Sequence, residues 1–146
     1  MLNVTKTFLP PLSEYNAYLE RIWTNGQVTN EGQFVKQLES ELSKSTGVKH
    51  AIYVSNGTIA LQIALKALEI KGDVITTPFS YCATTNAIIW ENCNPIFADI
   101  NPTSLTSEVN EISKVYNQNS KAILTTHVYG NSCNLEELEK FSSEKK

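Results

Sequence analysis

The chain has 146 residues, a usual length for one domain, and its 41% hydrophobic and 18% charged content is typical of a globular protein. A formal net charge of −3 leaves no basic surface for nucleic acid, and no apolar run approaches the roughly 20 residues that span a bilayer. The N-terminus lacks a signal-peptide pattern, and three cysteines without a C-x-x-C spacing favour reduced thiols, which together indicate a cytoplasmic protein.

An N-terminal arm and two helices are predicted over residues 1–47. Apolar residues recur at helical spacing, which predicts helices over about 13–23 and 31–46. The loop between them is rich in turn-forming residues, and Gly47 follows the second helix at the position of a C-cap.

From residue 48 to residue 146, short β-rich runs alternate with helical patterns. The predicted strands are 51–55, 73–77, 95–99 and 121–126, and the predicted helices are 58–70, 82–92, about 106–117 and about 134–143. This alternation predicts βαβ units and a parallel sheet. Ligands of such sheets bind outside the carboxyl ends of the strands, so the residues that follow each strand are the candidate site residues.

The segment Ser55-Asn56-Gly57-Thr58 lies between the first predicted strand and the helix behind it. Ser55 or Asn56 can cap that helix, and Gly57 allows the backbone to approach a ligand. The unpaired N–H groups of a helix start attract an anion. The lysine of a P-loop and the later glycines of a dinucleotide fingerprint are missing, so a single phosphate monoester suits the segment best. An ordinary capped helix start is the alternative.

Aromatic and polar residues follow the other strands. Phe79 and Tyr81 can stack on a flat ligand, or they can close the core at a strand end. Asp99 suits a turn better than a catalytic role. His127 could act as a base or stack near a ring, although a lone histidine is more often structural. Because no partnered nucleophile and no metal-ligand cluster can be recognised, the sequence predicts no catalytic residue and no metal site.

Four motifs, in this order and spacing, resemble the nucleotide-sugar aminotransferases of the DegT/StrS type. They are Val54–Leu61, Asp73–Tyr81, Asn94–Ile100 and His127–Gly130. These enzymes have fold type I and depend on pyridoxal 5'-phosphate. The resemblance implies a partial fold type I large domain over residues 48–146, a three-layer α/β/α fold with a mostly parallel sheet. It also implies a contiguous parallel trio of the last three strands, with 73–77 in the centre and 51–55 without its native partner.

The resemblance further implies roles for individual residues. Gly57 and Thr58 would hold the cofactor phosphate, and Tyr81 would stack on its pyridine ring. Asn25 and Gly26 would border the substrate and the subunit interface of a homodimer.

The family's acidic partner of the pyridine nitrogen and its Schiff-base lysine match no position up to Lys146. Both are needed for the chemistry of this cofactor. We therefore expect a truncated form of an enzyme that transfers an amino group, from glutamate, to a nucleotide-linked keto-sugar. This truncated form should be inactive on its own. The alternative is a non-catalytic module for phosphate binding, cofactor binding or dimerisation. The roles of His127 and Tyr129 stay open.

Overall fold

The computed structural model describes residues 5–145, so Lys146 and the first four residues of the predicted arm lie outside the described residues. Within this range the chain forms three strands, six α-helices and one short 3₁₀ turn. In chain order the helices and strands are α1 (Leu12–Asn25), α2 (Gln33–Thr46), α3 (Gly57–Ala67), β1 (Asp73–Thr76), α4 (Cys82–Trp90), β2 (Asn94–Phe97), α5 (Val109–Val115), β3 (Ser120–Ile123) and α6 (Leu135–Glu144). No helix in the described range combines the length and apolar character needed to cross a membrane.

The first of two compact units ends at Tyr53 and contains α1 and α2. The rings of Tyr18 and Phe34 meet edge to face with their centroids 4.9 Å apart, and the Arg21 guanidinium lies 4.6 Å from the Phe34 centroid. Gly47 ends α2 in the left-handed conformation, as predicted. Neither helix contains a buried residue. The described part of the unit therefore has no closed core, and its two helices meet through aromatic and cation–π contacts.

The second unit begins at Val54 and contains the sheet. The strands run parallel in the order β2-β1-β3, which confirms the predicted trio with its central strand. All four residues of β1 are buried. Val74 and Ile75 are apolar and β-branched, and such residues suit a central strand that is covered on both faces.

Successive residues of β1 face opposite sides of the sheet and pack into different clusters. Val74 packs with Leu65, Ala87, Ile88 and Cys93, which α3, α4 and the turn after α4 contribute. Ile75 belongs to the other cluster, with Ala98, Ile112, Cys133, Leu138 and Phe141. Helices therefore cover both faces, and the predicted three-layer α/β/α arrangement is confirmed.

The predicted strand at residues 51–55 is wrong. The segment has no regular secondary structure, since a strand exists only when its backbone groups pair with a neighbour. The expectation that it lacks a ladder partner is confirmed within residues 5–145. The Tyr53 N–H donates instead to Glu39 Oε1 of α2, at 2.8 Å. The helix predicted at 106–117 is also shorter than expected, because the Thr106 carbonyl accepts from the Asn101 N–H and closes a turn before the helix begins.

Candidate functional site

The start of α3 presents two adjacent backbone donors. Asn56 is extended and caps the helix: its Oδ1 accepts from the Ile59 N–H at 3.0 Å, and its carbonyl accepts from the Ala60 N–H at 3.2 Å. Within the described residues, the N–H groups of Gly57 and Thr58 make no hydrogen bond. They add to the positive end of the helix dipole, so this end of α3 can bind an anion.

The surroundings of Gly57 leave room for such an anion. A Cβ atom built at this position meets nothing within 4 Å, and the residue is exposed. An incoming phosphate oxygen can therefore reach the backbone donors without displacing a side chain. The donors, the dipole and the open approach fit the phosphate group that the sequence predicts at this segment.

A cavity of about 400 Å³ lies where β1 and β3 end. It is lined by residues 78–81, which follow β1, and by residues 126–129, which follow β3. Tyr81 and Tyr129 are 80% and 83% exposed, and the rings of Phe79 and Tyr129 meet edge to face with centroids 6.4 Å apart. Exposed aromatic faces around a concave space suit a flat ligand. The lining brings Tyr81 together with His127 and Tyr129, and it does not include Gly57 or Thr58.

The segment after β3 has a backbone that the sequence did not reveal. A short 3₁₀ turn spans Val128–Gly130, and Tyr129 within it has φ 54°, a left-handed conformation that is uncommon outside glycine. His127 precedes this turn, and its Nδ1 accepts from the Cys133 N–H at 3.0 Å. The ring of His127 is therefore oriented by a backbone group six residues further on, a contact that no local motif could signal.

The remaining candidates lie elsewhere. Asn25 and Gly26 close α1 in the first unit, where the Gly26 N–H donates to the Ile22 carbonyl at 2.8 Å. Asn25 also lines a cavity of about 410 Å³ within that unit, together with the exposed Trp23. Asp99 accepts from the Ile100 N–H at 2.8 Å and so has a local structural use.

The family comparison agrees with these features. Residues 12–146 match the model of the DegT/DnrJ/EryC1/StrS aminotransferase family. The chain belongs to this family. The resemblance that the four motifs carry is thereby confirmed.

Several relatives are similar over most of this chain. It is 42% identical to a dTDP-4-amino-4,6-dideoxy-D-glucose transaminase of Escherichia coli, over 95% of this chain and 38% of the transaminase. It is 37% identical to a GDP-perosamine synthase of Vibrio cholerae, over 83% of this chain and 34% of the synthase. The chain thus spans little more than a third of the relatives that it matches.

The fold has a counterpart among solved structures. NtdA from Bacillus subtilis, determined with bound cofactor PMP, superposes with a TM-score of 0.87 and 27% identity, over 91% of this chain and 31% of NtdA. The predicted fold class, part of a PLP-dependent aminotransferase domain, is confirmed by this likeness.

Proposed function

We propose that this chain forms the phosphate-binding and ring-binding part of a PLP-dependent aminotransferase that acts on a nucleotide-linked keto-sugar. The observation that carries the proposal is the pair of unbonded N–H groups at Gly57 and Thr58, at a capped helix start with open space in front of it. A phosphate monoester meets two donors and a helix dipole there.

The individual roles follow from the chemistry of the residues. Gly57 and Thr58 would bind the cofactor phosphate through their N–H groups, and Thr58 through its hydroxyl as well. Tyr81 would stack on the pyridine ring, because its exposed ring borders the cavity beyond β1. When bound, pyridoxal phosphate supplies the electron sink for amino-group transfer. We assign the Schiff-base role to no lysine of this chain.

The substrate class and the assembly are part of the same proposal. The names of the E. coli and V. cholerae relatives support a nucleotide-linked amino sugar as product, and hence a keto-sugar and an amino donor such as glutamate as substrates. Asn25 and Gly26 would border the substrate. We propose a cytoplasmic homodimer as the complete form of the enzyme.

Two different substitutions of Gly57 test the phosphate site. Gly57 is the first residue of α3, where proline is tolerated, and Asn56 before it already has extended dihedrals that suit a following proline. Gly57→Pro removes the N–H, whereas Gly57→Ala adds a Cβ atom and keeps the N–H. The comparison therefore isolates one hydrogen-bond donor. Binding of pyridoxamine 5'-phosphate to the full chain is measured by calorimetry, with pyridoxamine as the ligand that lacks the phosphate.

We expect saturable binding of pyridoxamine 5'-phosphate, and binding of pyridoxamine that is weaker by at least about tenfold. Loss of one charge-assisted hydrogen bond should weaken binding by Gly57→Pro about tenfold to a hundredfold relative to Gly57→Ala. Equal affinities of the two variants would contradict the phosphate site. If inorganic phosphate competes with pyridoxamine 5'-phosphate and binds as tightly, the pyridine ring contributes nothing to binding. That result would favour the alternative, a phosphate-binding module without the cofactor.

A further inference from the structure

His127 has one ring nitrogen committed to the protein. Its Nδ1 lies 3.0 Å from the Cys133 backbone nitrogen, which can only donate. A nitrogen that accepts a hydrogen bond carries no proton, so the proton of the neutral ring is on Nε2. The backbone therefore selects one tautomer of His127.

The group that selects this tautomer is itself fixed. Cys133 is 3% exposed and packs in the cluster that contains Ile75 and Phe141. Its Sγ also lies 3.6 Å from the carbonyl of Thr126, in the segment that follows β3. The orientation of the His127 ring is thus tied to the core of the sheet, although the ring itself is exposed.

The His127 side chain is also part of a concave surface, the cavity beyond β1 and β3. His127 lines this cavity with Tyr81 and Tyr129, and its Nε2 has no hydrogen-bond partner among residues 5–145. The Ser80 hydroxyl, also in the lining, is used locally, because it lies 3.2 Å from the Tyr81 carbonyl. An unpaired, oriented donor in a cavity that is also lined by aromatic residues is suited to an oxygen substituent on a flat ligand.

We propose that His127 binds, through Nε2–H, an oxyanion substituent of a planar heteroaromatic ring that lies in this cavity. The inference rests on the proposed function and deepens it, since it assigns a residue whose role the sequence left open. It also excludes one of the interpretations made from the sequence. In this tautomer Nε2 donates and cannot accept a proton, so His127 is a positioning residue for the ring and not a base.

The tautomer is tested without any ligand. Two-dimensional ¹⁵N NMR of the imidazole groups, at mildly alkaline pH, distinguishes a proton on Nε2 from a proton on Nδ1. His50 provides the second histidine signal, and His127→Asn identifies which signal belongs to His127. We expect the Nε2–H pattern for His127. An Nδ1–H pattern would overturn the proposal.

The donor is tested with two variants and two ligands. His127→Asn can keep the acceptor for the Cys133 N–H but has no donor at the Nε2 position, whereas His127→Gln places an amide donor near it. The ligands are pyridoxamine 5'-phosphate and its 3-deoxy analogue, which lacks the ring hydroxyl. Calorimetry gives both affinities, and circular dichroism verifies that each variant is folded.

We expect His127→Asn to bind pyridoxamine 5'-phosphate about threefold to tenfold more weakly than the wild type, with partial rescue in His127→Gln. The 3-deoxy analogue should bind the wild type and His127→Asn equally. If His127→Asn weakens both ligands equally or neither, the proposal is overturned while the proposed function stands. If the wild type binds neither ligand, both the proposed function and the ligand proposed for His127 are contradicted.

Discussion

Asp73 is a carboxylate at the start of β1 that is only 7% exposed and accepts hydrogen bonds from three asparagine side chains. The donors are Nδ2 of Asn94 at 3.0 Å, of Asn117 at 2.9 Å and of Asn119 at 3.0 Å. Asn94 and then Asn117 contribute most to holding the pKa of Asp73 below its ordinary value of 3.8, and desolvation opposes them. The cluster ties β1 to β2 and to the loop before β3.

Gly72 makes this cluster possible. Its φ is 127°, and a Cβ atom there would lie 2.8 Å from the Asn119 carbonyl oxygen. The same carbonyl accepts from the Asp73 N–H at 3.0 Å. Only a residue without a side chain lets the loop approach β1 this closely, so Gly72 and the asparagine cluster form one structural feature.

The pH dependence of stability should reveal Asp73. Because its pKa is lower in the folded than in the unfolded chain, its contribution is complete well above pH 3.8 and is lost as the pH falls through that value and below it. We expect Asp73→Asn to be less stable than the wild type at neutral pH and to lose less further stability on acidification. Urea midpoints measured from pH 7 to pH 3 provide the comparison. Asn86→Ala, at an exposed position of α4, should keep the wild-type profile. Parallel profiles for Asp73→Asn and the wild type would rule out this role.

At the residue scale, the sequence predicted local contacts and missed distant ones. Asn56 was a recognisable cap because the Ile59 N–H that it accepts from is three residues away. The asparagines around Asp73 are 21 to 46 residues from it along the chain, and Asn117 and Asn119 belong to no motif. The bond from the Cys133 N–H to His127 depends on the path of an irregular loop. Such contacts follow from tertiary structure and cannot be inferred from spacing.

At the scale of elements, β1 is the strand on which both layers of helices depend. Val74 and Ile75 are 0% and 1% exposed, and each belongs to a different hydrophobic cluster. The alternation of β-rich runs and helical patterns was sufficient to predict β1, β2 and β3, and the family resemblance implied their order. The alternation was insufficient for residues 51–55, because a β-rich run becomes a strand only if a neighbour pairs with it.

Truncation of Ile75 should measure how much the cluster on its face contributes. Ile75→Val removes one methylene group and should cost about 0.5–1.5 kcal/mol of unfolding free energy. Ile75→Ala also leaves a cavity beside Ile112 and Phe141, and should cost about 2–5 kcal/mol. Urea unfolding followed by circular dichroism gives both values. Ile89→Ala, at a side chain that is 56% exposed, is the control and should cost much less. A cost for Ile75→Ala no greater than that of the control would contradict the central position of β1.

At the scale of the whole molecule, burial is distributed unevenly between the two units. The buried apolar residues all belong to the second unit, whereas α1 and α2 contribute none in the described range. Each of these helices has 14 residues, a length at which an isolated helix is marginally stable in water. Large side chains of α1, such as Leu12 and Trp23, are 71% and 75% exposed. The stability of the chain should therefore differ between its parts.

Hydrogen exchange of the full chain should resolve this difference. Amide protons of α1 and α2 need only local opening to exchange, because few buried contacts oppose it, so we expect them to exchange early. Those of β1 and α4 should exchange last, since opening them breaks both hydrophobic clusters. Mass spectrometry of peptic fragments after deuterium labelling measures both sets in one sample. Ile75→Ala provides an internal control: it should accelerate exchange in β1 and α4 and leave α1 and α2 unchanged. Equal protection of α1 and β1 in the wild type would contradict this account, because it would require α1 to be stabilised as strongly as a strand whose four residues are all buried.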